Sequence, residues 1–250
     1  MTRKSHLKAA GSNDAWFAGA CLVAIIVWGL ASNVQARTAE AEPAGPSIAW
    51  NVAVGSDYVF RGVSQTEEDA AISGGVDLTS GTFYAGAWAS NVAFPGDRDT
   101  NAEIDLYAGV RPEFAGWTWD IGAVGYFYTG QPNGADYDYV EARVAASRAF
   151  GPATLGAAVY WSPDYFGAAE DEATYVEANA AFSPADRWTI SGAVGRQVLS
   201  SDFDYTTWNL GVARQLTDNL TLDVRYHDTD AHDFGDIYGS RAVASLKAAF

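Results

Sequence analysis

The stretch SDYVFRGVSQTEEDAAISGGVDLTS runs from Ser56 to Ser80. In its first part Tyr58 and Phe60 alternate with Asp57, Val59 and Arg61. In its last part Ile72, Val76 and Leu78 alternate with Ser73, Gly75 and Asp77. Successive side chains of a strand point to opposite faces, so both parts read as strands with one apolar face. A water-soluble core and a lipid bilayer select the same local alternation. The rest of the chain has to separate the two.

From Ile48 to Phe250 about twelve period-2 segments follow one another, with no convincing helical stretch. Strand one carries outward Ile48, Trp50, Val52 and Val54, and continues in phase to Tyr58 and Phe60. Strand three carries outward Tyr84 and Trp88, and strand four Ile104, Leu106, Ala108 and Val110. The series ends on Ala244, Leu246, Ala248 and Phe250 in strand twelve. The opposite faces are polar or small. They place Asp57, Arg61, Asn91, Glu103, Asp105, Arg111, Glu141, Arg143, Glu177, Asp223, Arg225 and Arg241 on the inside, as the expected pore lining.

The connections alternate in length. Long segments such as GVSQTEED (Gly62–Asp69) and SPDYFGAAEDEA (Ser162–Ala173) alternate with tight turns such as Gly151-Pro152. Long loops at one end and short turns at the other are the pattern of a transmembrane barrel, with both termini at the short-turn end. A soluble sandwich has no reason to sort its loops. The aromatics, 14% of the chain, also sort by height. Trp50, Tyr84, Trp117, Trp119, Phe182, Trp188 and Phe250 fall near the short turns. Tyr58, Phe60, Trp88, Phe127, Trp161, Trp208 and Tyr226 fall near the long loops. Two aromatic girdles around an apolar band are what a bilayer selects. Outward charge is confined to Arg148, Arg196 and Arg214 at strand ends, where snorkelling is inexpensive. The apolar face therefore meets lipid. The expected fold is all-β: an up-and-down, antiparallel transmembrane β-barrel of about twelve strands over residues 47–250, closed so that every backbone group is paired.

The first 36 residues read as a cleaved signal peptide. Arg3, Lys4 and Lys8 precede the apolar run Ala15–Ala31, and Val34-Gln35-Ala36 is a small-residue cleavage site. Residues 37–46 read as a flexible lead-in. The one cysteine, Cys21, lies inside the apolar run, so the mature chain has no disulfide or thiol chemistry. The net charge of −16 excludes nucleic acid as a partner. These features place the chain in a bacterial outer membrane, with acidic long loops extracellular and both termini periplasmic. The expected partners are outer-membrane lipids, lipopolysaccharide and small solutes, and the barrel is expected to be a monomer.

The motifs SDYVFRGVSQT (Ser56–Thr66), FYAGAWASNVAF (Phe83–Phe94) and EIDLYAGVRP (Glu103–Pro112) resemble the TorF family of outer-membrane porins. The resemblance spans the mature chain and implies a barrel and a transport role. It supplies no catalytic or ligand residues. Phe250, after outward Leu246 and Ala248, looks like the C-terminal aromatic signal read by the outer-membrane assembly machinery.

Little else suggests chemistry, and no cofactor is expected. His227, Asp228, Asp230 and His232 form a weak candidate metal cluster in YHDTDAHDFGD (Tyr226–Asp236), with no known ligand spacing. A barrel phospholipase needs a His-x-Ser pair, which neither histidine supplies. Asp97-Arg98-Asp99 and His227-Asp228 could mimic the acids of a barrel protease, at a spacing unremarkable in so acidic a chain. The reading is therefore not an enzyme. The stronger signal is the lumen, where eight acids (Asp57, Asp77, Glu103, Asp105, Asp120, Glu141, Glu177, Asp223) face six bases (Arg61, Arg111, Arg143, Arg225, Arg241, Lys247). Charges inside a barrel either line water or pair with one another. Twelve strands fall between barrels that side chains fill and barrels that hold an aqueous channel. Two functions follow: a porin-like channel for small solutes or ions that weakly favours cations, or a plugged barrel with a structural or adhesive role.

Overall fold

The computed structural model describes residues 45–167, 172–199 and 202–250. The signal peptide assigned to residues 1–36 and most of the lead-in lie outside the described residues. Twelve long strands make the wall: β1 (Ser47–Gly55), β2 (Ala71–Ser80), β3 (Phe83–Asn91), β4 (Ala102–Val110), β5 (Trp117–Thr129), β6 (Tyr139–Phe150), β7 (Ala153–Ser162), β8 (Ala173–Ala185), β9 (Trp188–Val198), β10 (Tyr205–Gln215), β11 (Leu220–Thr229) and β12 (Arg241–Ala249). Each pairs antiparallel with its neighbours in sequence, and β1 also pairs with β12, which closes the barrel. The chain ends meet there: Trp50 and Phe250 exchange backbone hydrogen bonds of 3.0 and 2.9 Å. The start of β1 and the C-terminal Phe250 lie at the short-turn end, as the loop lengths require.

Directly paired residues share a face, so register fixes what meets lipid. Ile121 lies opposite Val110 and Val144, and Val159 opposite Val144 and Val176. Most apolar positions of the sequence pattern lie on the outer surface, Leu210 at 62% and Trp50 at 61% exposure. The three outward arginines sit as snorkelling predicts. Arg148 lies over the Trp117 and Phe150 rings and Arg214 over Trp188. Arg196 pairs with Asp204 and Asp230 at the long-loop rim. Their stems stay against apolar surface and their charges reach the interface.

Two parts of the sequence pattern are corrected. On β3 it is Phe83, Ala85, Ala87 and Ala89 that pair with the outward residues of β2 and β4. Tyr84 and Trp88 therefore point inward and Asn91 outward, one residue out of phase with expectation. The lumen offers what these rings lack outside: Tyr84 donates a 2.7 Å hydrogen bond to Asp120, and Trp88 packs edge-on against Tyr58. A polar-tipped ring prefers such a partner to hydrocarbon, and alanines leave the lipid face smooth. The second correction concerns Tyr58 and Phe60. Strand one ends at Gly55, and both rings are buried inside the barrel.

Candidate functional site

Beyond Gly55 the chain turns inward. Val59–Phe60 and Val63–Ser64 pair as a miniature hairpin, with Val59 opposite Ser64 and Phe60 opposite Val63. The two residues at its tip, Arg61 and Gly62, have φ of 44° and 88°. Positive φ at both centres is the signature of a type I′ turn. Gly62 suits that conformation, and any added Cβ there would collide with the Thr207 and Thr229 side chains on β10 and β11. Arg61 does not suit it: left-handed backbone costs an L-residue roughly 1–2 kcal/mol. Its side-chain contacts offset that cost.

The root of the hairpin is tied by one carboxylate. Asp57 Oδ1 accepts from Ser64 Oγ (2.7 Å) and Thr66 Oγ1 (2.8 Å), and its Oδ2 accepts from Arg241 of β12 (3.2 Å). The Gln65 amide donates to the Tyr58 carbonyl, and the Gln65 carbonyl accepts from the Ala93 amide in the β3–β4 loop. Tyr58 reaches across to donate to Glu103 of β4 at 3.0 Å. The motif Ser56–Thr66 thus encodes a clasp and a projecting tip rather than a strand.

The tip crosses the lumen to the opposite wall. Arg61 donates to Glu141 Oε2 on β6 (2.8 Å) and to Gln197 Oε1 on β9 (2.9 Å). Its guanidinium carbon lies 4.1 Å from the ring centre of Tyr175 on β8 and 4.8 Å from that of Tyr160 on β7. Phe60 covers it from the hairpin itself at 4.7 Å. Tyr126 of β5 donates to the same Glu141 oxygen. The ion pair is almost dry, with side-chain exposures of 3% and 1%. A carboxylate, an amide oxygen and two ring faces form a cage around one planar cation.

Further fill lies at the long-loop end. Phe94, Tyr128, Tyr137, Tyr139 and Phe166 stack and abut one another, with Tyr137 and Phe166 parallel at 4.4 Å. Toward the short turns the interior opens. Asp77, which accepts from Tyr107, is half-buried, as are Glu177 and Lys247, and Asn179 is exposed. In the same half Asp120, buried, accepts from Arg111 (2.9 Å) and pairs with Arg143 (3.1 Å), while Arg225 is held by Asp223, Asn209 and Ser191.

Of the expected pore-lining residues, Asp57, Arg61, Glu103, Asp105, Glu141, Arg143, Glu177, Asp223, Arg225 and Arg241 are inside, and Arg111 reaches inward to Asp120 from the rim. Asn91 is not inside. Its amide instead caps the start of β2 through the Ile72 amide and the Ala70 carbonyl. The candidate metal cluster does not converge. His232 is bonded to Asp228 (2.7 Å), Asp230 accepts from the Thr206 amide, and His227 lies opposite Asn209 and Arg241 in the sheet. Among the described residues no group of three such side chains could hold a metal ion. Asp97 caps its own turn. Burial pushes its carboxyl up, but hydrogen bonds from Thr100 Oγ1 and the Asp99 and Thr100 amides hold it below its ordinary value. Such a carboxylate is a poor general base.

The cage residues Gln197, Tyr160 and Tyr175 did not stand out in the sequence. A signal for the hairpin was present: VF-RG-VS is two β-prone pairs around a two-residue turn, directly after Gly55-Ser56.

The fold has solved counterparts. A KdgM porin superposes with a TM-score of 0.56 at 8% identity, covering 81% of this chain and 98% of that one. A NanC porin superposes with a TM-score of 0.54 at 11% identity, covering 80% and 97%. No curated protein matches the sequence. Residues 40–250 match a family described as a bacterial protein of unknown function (Gcw_chp), and the chain belongs to that family.

Proposed function

We propose that the protein is a gated outer-membrane channel for small solutes or ions, weakly favouring cations, with the Ser56–Asp69 loop as its gate. One observation carries this reading. The inward positions are charged and polar along the whole wall, and the loop packs into one half only, while the other half keeps partly exposed polar residues beside its buried ion pairs. In the loop's half Phe60, Val63, Gln65 and Glu103 are at most 1% exposed. Toward the short turns Asp77 and Lys247 are half-buried and Asn179 is exposed. The barrel is closed by its own strands and does not need the loop to complete the sheet. A filler held by ion pairs and hydrogen bonds can leave and return, with an open state a few kcal/mol above the closed one.

The porin likeness of the fold and the resemblance of the Ser56–Thr66 motif to the TorF porins support the same reading. So does the lumen charge, eight acids against six bases. A KdgM porin has been solved with oligogalacturonate, a polyanion. The acids lining this lumen do not suit such a solute. In the proposed orientation the acidic loops face outward, the termini face the periplasm, and Phe250 serves as the assembly signal. The second reading, a permanently plugged barrel with a structural or adhesive role, is favoured by the complete burial of Val63 and Gln65. Single-channel recording in planar bilayers separates the two. Discrete openings of the purified protein support the gated channel. A silent bilayer, with wild type and with the hairpin tip removed, supports the plug.

A further inference from the structure

We propose that the cage on the β5–β9 wall is a binding site for organic cations of the guanidinium class, and that Arg61 is its built-in competitor. The inference deepens the channel reading and rests on it for the solute's route.

The cage belongs to the wall, whereas its occupant comes from the loop. Glu141, Gln197, Tyr160 and Tyr175 lie on β6, β9, β7 and β8. Two different guanidinium nitrogens are bonded, Nη2 to Glu141 and Nη1 to Gln197, while ring faces lie at 4.1 and 4.8 Å. A flat, weakly hydrated fork satisfies both acceptors and both rings together. A compact, strongly hydrated ion would keep its water and forgo the rings. The nearest other wall cation, Arg143, lies on Tyr160 at 5.5 Å and is committed to Asp120. Once Arg61 leaves, no basic side chain is paired with Glu141 among the described residues. Glu103 and Asp105, both fully buried, add two more acids. Gln197 adds a second pointer. Its side chain is fully buried, and its Nε2 has no hydrogen-bond partner among the described residues. That donor is free for an acceptor group carried by a ligand.

The strained backbone fits the same picture. Arg61 holds a left-handed φ of 44°, whose cost its seated side chain offsets. A solute that takes the cage removes that offset and favours the hairpin's departure. The tether keeps Arg61 at high local concentration, so a free cation competes poorly with it in the resting protein.

The test uses the full mature barrel in detergent, with folding checked by heat-modifiable mobility. Methylguanidinium is titrated calorimetrically into wild type, Arg61→Ala and Arg61→Met, with acetamide as a neutral probe. Binding about tenfold or more tighter in either arginine variant than in wild type is expected. Adding Glu141→Gln to that variant should abolish it, and acetamide should not bind. Equal affinity in wild type and variants, or indifference to Glu141→Gln, overturns the inference. Planar-bilayer currents of the same proteins test the channel separately. An Arg61 variant that conducts but neither binds methylguanidinium nor is blocked by it leaves a channel without this site. One that binds methylguanidinium but never conducts leaves the site and removes the channel.

Discussion

Three strands cross from one environment to another within a few residues. On β6, Tyr139, Glu141 and Arg143 are buried, while Ala145 and Ser147 are half-exposed. On β4, Glu103 and Asp105 are buried, then Tyr107 and Gly109 are not. On β8, Ala173 and Tyr175 give way to Glu177 and Asn179. The wall is continuous through this change, and only the contents differ. The half near the short turns shows what twelve strands enclose without the hairpin: a charged interior, half-exposed at Asp77, Glu177 and Lys247, with Asp120 and Asp223 buried in ion pairs. The half near the long loops shows the same interior closed by a hairpin and by loop aromatics. Closure is therefore a property of the loops, and the barrel's integrity is a property of the strands.

The sharpest way to break this contrast is to remove one charge from each half. Arg61→Ala strips the partner from a fully buried Glu141, which should weaken seating of the hairpin by about 3–5 kcal/mol. The barrel should still form, and bilayer recordings should find the variant open for most of the trace. Asp223→Asn removes a buried charge from the half the hairpin does not enter, where Arg225 keeps Asn209 and Ser191. That change should leave gating as in wild type. If both variants gate alike, loop closure and wall integrity are not separable.

The wall itself is tested on β11. Val224 is exposed to lipid in mid-strand, opposite Val212 and Ala244, and Asp223 faces the lumen at 6% exposure. Arginine at a lipid-facing position deep in the bilayer costs roughly 2–4 kcal/mol. Val224→Arg should cut the yield of folded barrel, and Asp223→Asn should not, as read by heat-modifiable mobility. Equal yields would mean that the register is shifted by one residue, which exchanges every face.

A smaller effect probes β3, where the register differs from the simple pattern. Tyr84→Phe removes one hydrogen bond to a carboxylate that retains Arg111 and Arg143. The expected loss is about 1.5 kcal/mol in urea unfolding. No loss would argue that the ring faces lipid after all.

What the sequence revealed, and what it concealed, follows the same division. Eleven strands repeat an apolar face every second residue, and lipid enforces that pattern at every position. β3 escaped because its lipid face is mostly alanine, so its two large rings dominate the alternation although they lie inside. The hairpin escaped for another reason. Tyr58 and Phe60 continue the phase of Ile48–Val54 across Gly55, and hydrophobicity cannot distinguish a ring facing lipid from one packed in a plugged lumen. Asp57 and Arg61 were placed inside from that strand reading, although the path that brings them there is a hairpin. The cage was invisible because its four wall residues come from four strands. Only closure brings them together, and each alone is an ordinary inward polar or aromatic residue.

The mildest expected effect lies at the boundary between loops and water. Exposed long-loop acids include Glu67, Glu68, Asp69, Asp99, Asp136, Asp164, Glu172 and Asp202, against an exposed Arg98. Arg241 engages Glu68 at 3.5 Å from inside, which neutralises little of this field. Such a surface concentrates cations at the entrance. The bias in the lumen is small, so selectivity should be weak and dominated by the mouth. Surface fields fade as the Debye length shortens to roughly 3 Å at 1 M salt, whereas buried charges are screened much less. The reversal potential of open Arg61→Ala channels across a potassium chloride gradient should therefore favour cations at low salt and approach zero at high salt. Neutralising Glu67, Glu68 and Asp69 together should reduce the low-salt preference and leave a residue set by Glu103, Asp105 and Glu141. Anion preference at low salt would remove the cation reading. A preference unchanged at 1 M would move its origin from the loops to the buried wall.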